Sequence, residues 1–267
     1  MKLEWESMQQ ENWIDQFYND SGTITHFSDK QKRLLDLNKP KLLYQYRPIN
    51  DLNIQNIKNN VIWARRTSDF NDPYDCLAST NSIKIASTWT SDPVMQKQLK
   101  ELDEDFKKEA ESLRKLHCVS CFSVNPYSLL MWSHYAGQHS GVCVAYDYDE
   151  LVKVSREAVV PAWYGKKLNL LRPKAERART DRIFVRKAID WSYEEEWRII
   201  ALLLNKNSPG RLLKAPKPKK ILWGSQVNET DSSVLELKNY CMAESIMCTK
   251  LELDEDEYKL NEIIGYQ

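Results

Sequence analysis

Apolar side chains recur every three or four positions between 93 and 116, at Met95, Leu99, Leu102, Phe106, Ala110 and Leu113, with charged residues between them. That period predicts an amphipathic helix, and Ser91 with Pro93 supplies its start. Elsewhere the pattern shortens. Runs rich in β-branched and aromatic residues predict strands beginning at Lys41, Val61, His117, Gly141, Ala158, Glu196, Lys220 and Ile246, each four to nine residues long. Short helices are predicted around Leu52, Ile54 and Ile57, over 128–136 and over 232–240. Ahead of these, Trp5, Met8, Trp13 and Phe17 keep helical spacing, and Ser28 with Gln31 forms a capping box before Leu34, Leu35 and Leu37. Pro40 closes this part. The pattern divides the chain into an N-terminal helical extension over 1–40 and a single α+β domain over 41–267. Helices are inserted irregularly, without the strict alternation of a doubly wound sheet, so mixed, mostly antiparallel, short-stranded sheets are expected.

Composition narrows the chemistry. The chain has 267 residues, 42% of them hydrophobic, enough for a substantial core. Only 7 are Gly, against 9 Trp and 13 Tyr, and the glycines stand too far apart for a GxGxxG turn or a GxxxxGK[ST] loop. A nucleotide held by a glycine-rich loop is thereby excluded. The 38 basic and 38 acidic side chains cancel. They are unevenly placed: residues 164–187 carry Lys166, Lys167, Arg172, Lys174, Arg177, Arg179, Arg182, Arg186 and Lys187 against Glu176 and Asp181, a stretch that suits phosphate, a nucleic acid or a protein acceptor. The first residues lack a signal pattern and no run approaches 18 apolar residues, so no membrane partner is expected, the location is expected to be cytoplasmic, and the six cysteines are expected as thiols.

Four constellations carry chemistry-bearing residues. Cys118, Cys121, His134 and His139 have the spacing of a two-Cys two-His zinc site, but the intervening run is apolar and lacks the basic residues of a base-reading finger, which favours core thiols over zinc. In 191–200 a strand period would place Glu194, Glu196 and Arg198 on one face. Carboxylates so placed suit the positive charge that forms when a glycosidic bond breaks, and an edge ion pair is the structural alternative. Phe70-Asn-Asp-Pro-Tyr-Asp75 reads first as a turn, with Asn71, Asp72 and Asp75 as second-choice ligands for a cation or ribose. Met131-Trp-Ser-His-Tyr135 puts His134 on an aromatic helix.

Leu43-Tyr-Gln-Tyr-Arg47, Trp63, Phe70–Asp75, Cys121-Phe-Ser123, Met131–Ala136, His139-Ser-Gly-Val-Cys143 and Trp191–Arg198 together resemble the bacterial domain-of-unknown-function 2971 family, from about residue 42 to 253. That family name implies no activity. More distantly, Arg47, Ser123 and Glu194-x-Glu196 resemble the arginine–serine–glutamate ADP-ribosyltransferases, which hold NAD in a cleft between two small sheets without a glycine loop. The resemblance implies a split sheet and NAD as substrate. Arg47 would hold phosphate or ribose, Ser123 would support the nicotinamide pocket, Glu196 would stabilise the oxocarbenium-like transition state, and Glu194 would orient the acceptor. Trp63, Trp132 and His134 are then candidate ring walls. A nucleotide or nucleic-acid sensor without catalysis, in bacterial stress or phage defence, is the alternative. A metal-dependent phosphodiesterase on Asp72, Asp75 and Glu194 ranks below both, since the usual metal-ligand spacings are absent.

Overall fold

The computed structural model describes residues 13–170 and 177–263. Its helices are α1 over 13–19, α2 (Asp29–Asn38), α3 (Asp51–Lys58), α4 (Asn81–Thr88), α5 (Pro93–Leu116), α6 (Leu129–Tyr135), α7 (Tyr148–Ser155) and α8 (Ser232–Ala243). The strands are β1 (Leu42–Arg47), β2 (Val61–Arg66), β3 (Ala78–Ser79), β4 (His117–Ser123), β5 (Val142–Asp147), β6 (Ala158–Pro161), β7 (Trp163–Gly165), β8 (Asn169–Leu170), β9 (Arg186–Ala188), β10 (Glu196–Leu202), β11 (Gly210–Lys214), β12 (Lys220–Trp223), β13 (Met247–Leu253) and β14 (Leu260–Glu262). The fold is α+β, as the pattern predicts.

Ten strands make one sheet in the order β11-β2-β4-β1-β5-β12-β13-β14, with β10 and then β6 continuing from β4. Within it only β12 and β13 run parallel. Period two divides its side chains between two faces. Leu43, Val144, Ile221 and Trp223 face the main core, and Tyr46, Cys143, Leu222 and Leu251 face a smaller one closed by Met131 and Trp132 of α6.

The long helix α5 lies on the main core through Leu99, Leu102, Phe106, Ala110 and Leu113, while Met95 stays exposed. Its N-cap is Asp92 rather than Ser91: the Asp92 carboxylate accepts from the Val94 N–H at 2.9 Å. The capping box at Ser28 and Gln31 forms as the sequence predicts. The short strands β3, β8, β9 and β14 escape the hydrophobic reading, and so do three longer elements. In α4 only Ile83 is a buried apolar residue, β11 reads as part of a basic stretch, and α7 is hidden because Asp147 both ends β5 and caps the helix through the Glu150 N–H at 3.0 Å.

The described part of the N-terminal segment belongs to the same core. Phe17 is fully buried, Trp13 meets Trp197 with ring centroids 6.3 Å apart, and Tyr18 stacks on Trp163 at 5.3 Å while its hydroxyl donates to the Pro161 carbonyl. Trp5 and Met8 lie outside the described residues. Among those described, no helix is long and apolar enough to cross a membrane.

Truncating Phe17 to Ala empties a closed site and should destabilise the protein by about 3–5 kcal/mol. Urea denaturation measures it; a loss below about 1 kcal/mol would mean that α1 is not part of the core.

Candidate functional site

Along its far edge β4 pairs with β10 over its whole length, from Glu196 opposite Ser123 to Leu202 opposite His117. The near edge is different. There β1 meets β4 at one pair, Tyr44 opposite Ser123, and β2 meets it at Arg65–Val119 and Arg66–Cys118. Between those contacts Ser120, Cys121 and Phe122 have no strand partner on this edge among the described residues. The sheet is open at this point, and the Gln45 amide partly bridges the opening, its Nε2 donating to Ser120 Oγ at 2.9 Å and to the Cys121 carbonyl at 3.4 Å.

A cavity of about 340 Å³ occupies the opening. Consecutive residues of both strands line it, Tyr44 to Arg47 and Val119 to Phe122, as expected where strands part and both faces are accessible. Trp63 and Arg65 of β2, Phe70, Asn71, and Met131 with Tyr135 of α6 line it too, together with the charged group Asp75, Lys187, Glu194 and Glu196. Met131 and Tyr135 are four apart and so share one face of α6.

The charged wall is built around Arg198, a fully buried guanidinium on β10. Its Nη1 and Nη2 donate to Asp75 Oδ1 and Oδ2 at 2.8 and 2.7 Å, its Nε and Nη2 to Glu196 Oε1 and Oε2 at 2.9 and 3.1 Å, and Nη1 to the Phe184 carbonyl at 2.7 Å. Lys187 Nζ donates to Glu196 Oε2 at 2.6 Å and also to Glu194 Oε2, with Asp75 4.0 Å away. Tyr135 completes the set by donating its hydroxyl to Glu194 Oε1 at 2.8 Å.

Two cations thus face three carboxylates. Burial opposes the charge on Glu196, but Arg198 and Lys187 overcome it and hold its carboxyl well below the usual range. Burial likewise opposes the charge on Lys187, and Glu196, Glu194 and Asp75 outweigh it, so the ammonium titrates above its ordinary value. For Glu194 burial prevails: with Glu196 beside it, Lys187 and Tyr135 do not fully compensate, and its pKa is raised. Arg47, which lines the same cavity, is half-buried, and among the described residues no carboxylate lies within ion-pair distance of it. Burial pulls its pKa down.

The predicted site residues divide sharply. Arg47, Trp63, Glu194 and Glu196 come together at the cavity. Trp132 does not: it is fully buried in the small core, its indole N–H donating to the Pro126 carbonyl at 2.9 Å and its ring edge-on to Tyr46, because it sits one step around α6 from Met131. His134 is exposed on the outer side of α6. Ser123 is buried, its hydroxyl occupied by the Asn125 backbone, and it acts instead as the point where the two halves of the sheet touch. The expected run of strand through Glu194 is also corrected. Glu194 ends a 3₁₀ turn (Ile189–Glu194), Glu195 adopts a left-handed φ of 45°, and β10 starts at Glu196; the kink brings both carboxylates onto Lys187.

The zinc pattern does not assemble. Cys118 lies buried on the face of β4 opposite that of Cys121, with its thiol toward the Ala201 carbonyl, while His139 contacts Ser133. Among the described residues no cluster of three His, Cys, Asp or Glu could hold a metal ion. Asp72 makes the predicted turn, accepting from the Tyr74 N–H at 2.8 Å, and Asp75 closes it through its N–H on the Asp72 carbonyl at 3.1 Å while its carboxylate reaches Arg198. Of the basic stretch, Arg182 donates to the Asp20 carbonyl, Arg186 lies over the Trp163 ring and Lys187 is buried; 171–176 and the side chains of Arg177 and Arg179 fall outside the described residues.

Residues 131–199 match the family model described as protein of unknown function, DUF2971. The matched segment contains Tyr135, Lys187, Glu194, Glu196 and Arg198, and it supports the family resemblance carried by the ordered motifs. Arg47, Trp63 and Asp75, which complete the cavity, lie before it. No curated protein and no solved structure matches the chain. Sequence reading missed Lys187, absorbed in the basic stretch, and Tyr135 and Gln45, whose residue types inside aromatic motifs were the available signal.

Replacing Asp75 with Asn leaves Arg198 short of a buried countercharge and should cost about 3–5 kcal/mol in urea denaturation; a loss below about 1 kcal/mol would contradict the network. The pH dependence has a defined sign. Because the Glu196 pKa is depressed on folding, its contribution is present above its ordinary value of 4.5 and lost as pH falls toward the folded-state value. Glu194, whose pKa is raised, acts in the opposite sense. Comparing Glu196→Gln with wild type, the fall in stability below pH 4.5 should be shallower in the variant; an equal or steeper fall would contradict the assignment.

Proposed function

We propose that the opening between β1 and β4 binds a nucleotide, and that the protein is an ADP-ribosyltransferase-like enzyme that cleaves the nicotinamide glycosidic bond of NAD and passes ADP-ribose to an acceptor. The observation that carries this reading is an aromatic-lined cavity that holds both Arg47, a guanidinium with no carboxylate partner among the described residues, and the carboxylates Asp75, Glu194 and Glu196. Ligand cavities run from about 300 to 1,000 Å³. At about 340 Å³ this one suits the nicotinamide ring and its ribose, leaving the rest of the dinucleotide toward Arg65 and the solvent. Trp63, Tyr44 and Phe70 offer faces for the ring.

In this reading the two glutamates have separate tasks. Glu196 is saturated by Arg198 and Lys187, which leaves it little charge to offer an oxocarbenium ion. Glu194 carries the unmatched part of the network's negative charge and faces the developing cation. Glu196 is the positioning residue that sets Lys187. A protein or nucleic-acid acceptor would approach the open side of the cavity.

The saturation of Glu196 also supports the alternative reading, a nucleotide-binding module without turnover. One experiment separates the two. NAD should raise the melting temperature of the purified protein and release nicotinamide, Arg47→Ala should lose both effects, and Glu194→Gln should keep the thermal shift while turnover falls about 100-fold or more. Binding with no nicotinamide release, with or without cell extract as acceptor source, would select the sensor; neither binding nor release would overturn both.

A further inference from the structure

Gln45 stands where β1 and β4 part, and it is only 4% exposed although it lines the cavity. Two bonds orient its carboxamide. Nε2 donates to Ser120 Oγ at 2.9 Å and to the Cys121 carbonyl at 3.4 Å. A carbonyl oxygen only accepts, so the nitrogen end must be the one turned to β4, and both of its protons are engaged there. The oxygen end is left over. Among the described residues nothing donates to Gln45 Oε1, and the atom keeps some accessible surface, which on a residue of the cavity wall opens on the cavity. Ser120 is in the complementary state: it is 2% exposed, lines the same cavity and accepts from Gln45, while among the described residues nothing takes its own hydroxyl proton. Two linked side chains therefore present one free acceptor and one free donor. Ser123, the serine expected from the resemblance, has neither to offer, because the Asn125 backbone uses both.

Resting on the reading of this cavity as an NAD site, we propose that Gln45 and Ser120 recognise the carboxamide of nicotinamide, and that Gln45 thereby selects NAD over nicotinic acid adenine dinucleotide, its carboxylate counterpart. A primary carboxamide carries the matching pair of groups. Its N–H donates to Gln45 Oε1 and its carbonyl accepts from the Ser120 hydroxyl. A carboxylate at neutral pH has no proton to donate, so it sets a charged lone pair against Gln45 Oε1 and the favourable bond becomes a repulsion. Gln45 cannot adapt by turning over. Rotating its amide by half a turn would place Oε1 against the Cys121 carbonyl, acceptor facing acceptor, and leave that carbonyl without its donor. The edge of adenine also carries a donor and an acceptor. At about 340 Å³, however, the cavity suits one ring with its ribose, and the ribose that faces Glu194 is the one that loses nicotinamide. The ring beside Gln45 is then nicotinamide, with adenine outside.

Titrations followed by tryptophan fluorescence, with NAD, nicotinic acid adenine dinucleotide and nicotinamide hypoxanthine dinucleotide, test the assignment. Wild type should bind the carboxylate analogue at least about tenfold more weakly than NAD, and the hypoxanthine analogue, altered only at the adenine end, within about threefold of NAD. Gln45→Met should bring NAD and the carboxylate analogue within about threefold of each other. Ser120→Ala should weaken both alike and keep their ratio, since each retains an oxygen for that hydroxyl. The wild-type comparison decides the matter even where Gln45→Met fails to fold. Equal binding of NAD and the carboxylate analogue, discrimination at the hypoxanthine instead, or a Gln45→Met protein that keeps the wild-type ratio would overturn the proposal and leave the NAD site standing. Binding of none of the three would overturn the NAD reading and this proposal with it.

Discussion

The fully buried Arg198 guanidinium is the constraint around which this fold is arranged. Its charge cannot be relieved by deprotonation, so every N–H must find an acceptor inside the protein. All five do, on Asp75, Glu196 and the Phe184 carbonyl. Those partners come from a loop after β2, from the strand itself and from the segment before β9. One side chain thus ties together parts of the chain more than a hundred residues apart, and removing a partner would leave a charge stranded in a region of low dielectric.

That network governs the opening in the sheet as well. Glu196, fixed by Arg198, holds Lys187; Lys187 in turn draws in Glu194, and Tyr135 reaches across from α6 to the same carboxylate. The result is a rigid, preorganised wall with more negative than positive groups. In the same opening, β1 separates from β4 after a single pair, and Arg47 is left without a countercharge among the described residues. Arg47 and the carboxylates line one cavity without pairing with each other. Folding alone gives no reason for such separation, which is why the opening is the strongest candidate for ligand binding.

Much of this was legible in the sequence. Long periodic α5 and the apolar runs of β4, β10, β12 and β13 declare themselves, because burial against the core demands a fixed spacing. Arg47, Trp63, Glu194 and Glu196, singled out from their motifs, do come together at one cavity. What escaped depends on contacts between distant segments. Asp75 reads as turn chemistry because its Arg198 partner is 123 residues away. Lys187 reads as one more surface cation because burial is invisible in a basic run. Trp132 and His134 read as cavity walls because the direction in which a short helix faces is set by what packs against it, and the kink at Glu195 cannot be told from a continuous strand by residue type.

The most direct measurement is a crystal structure of the protein with a non-hydrolysable NAD analogue. The account predicts the nicotinamide and its ribose in the opening between β1 and β4, a phosphate or ribose oxygen on Arg47, and the ribose facing Glu194 with the Arg198 network unchanged. An analogue bound elsewhere, or one seated in the opening without touching Arg47 or Glu194, would contradict it.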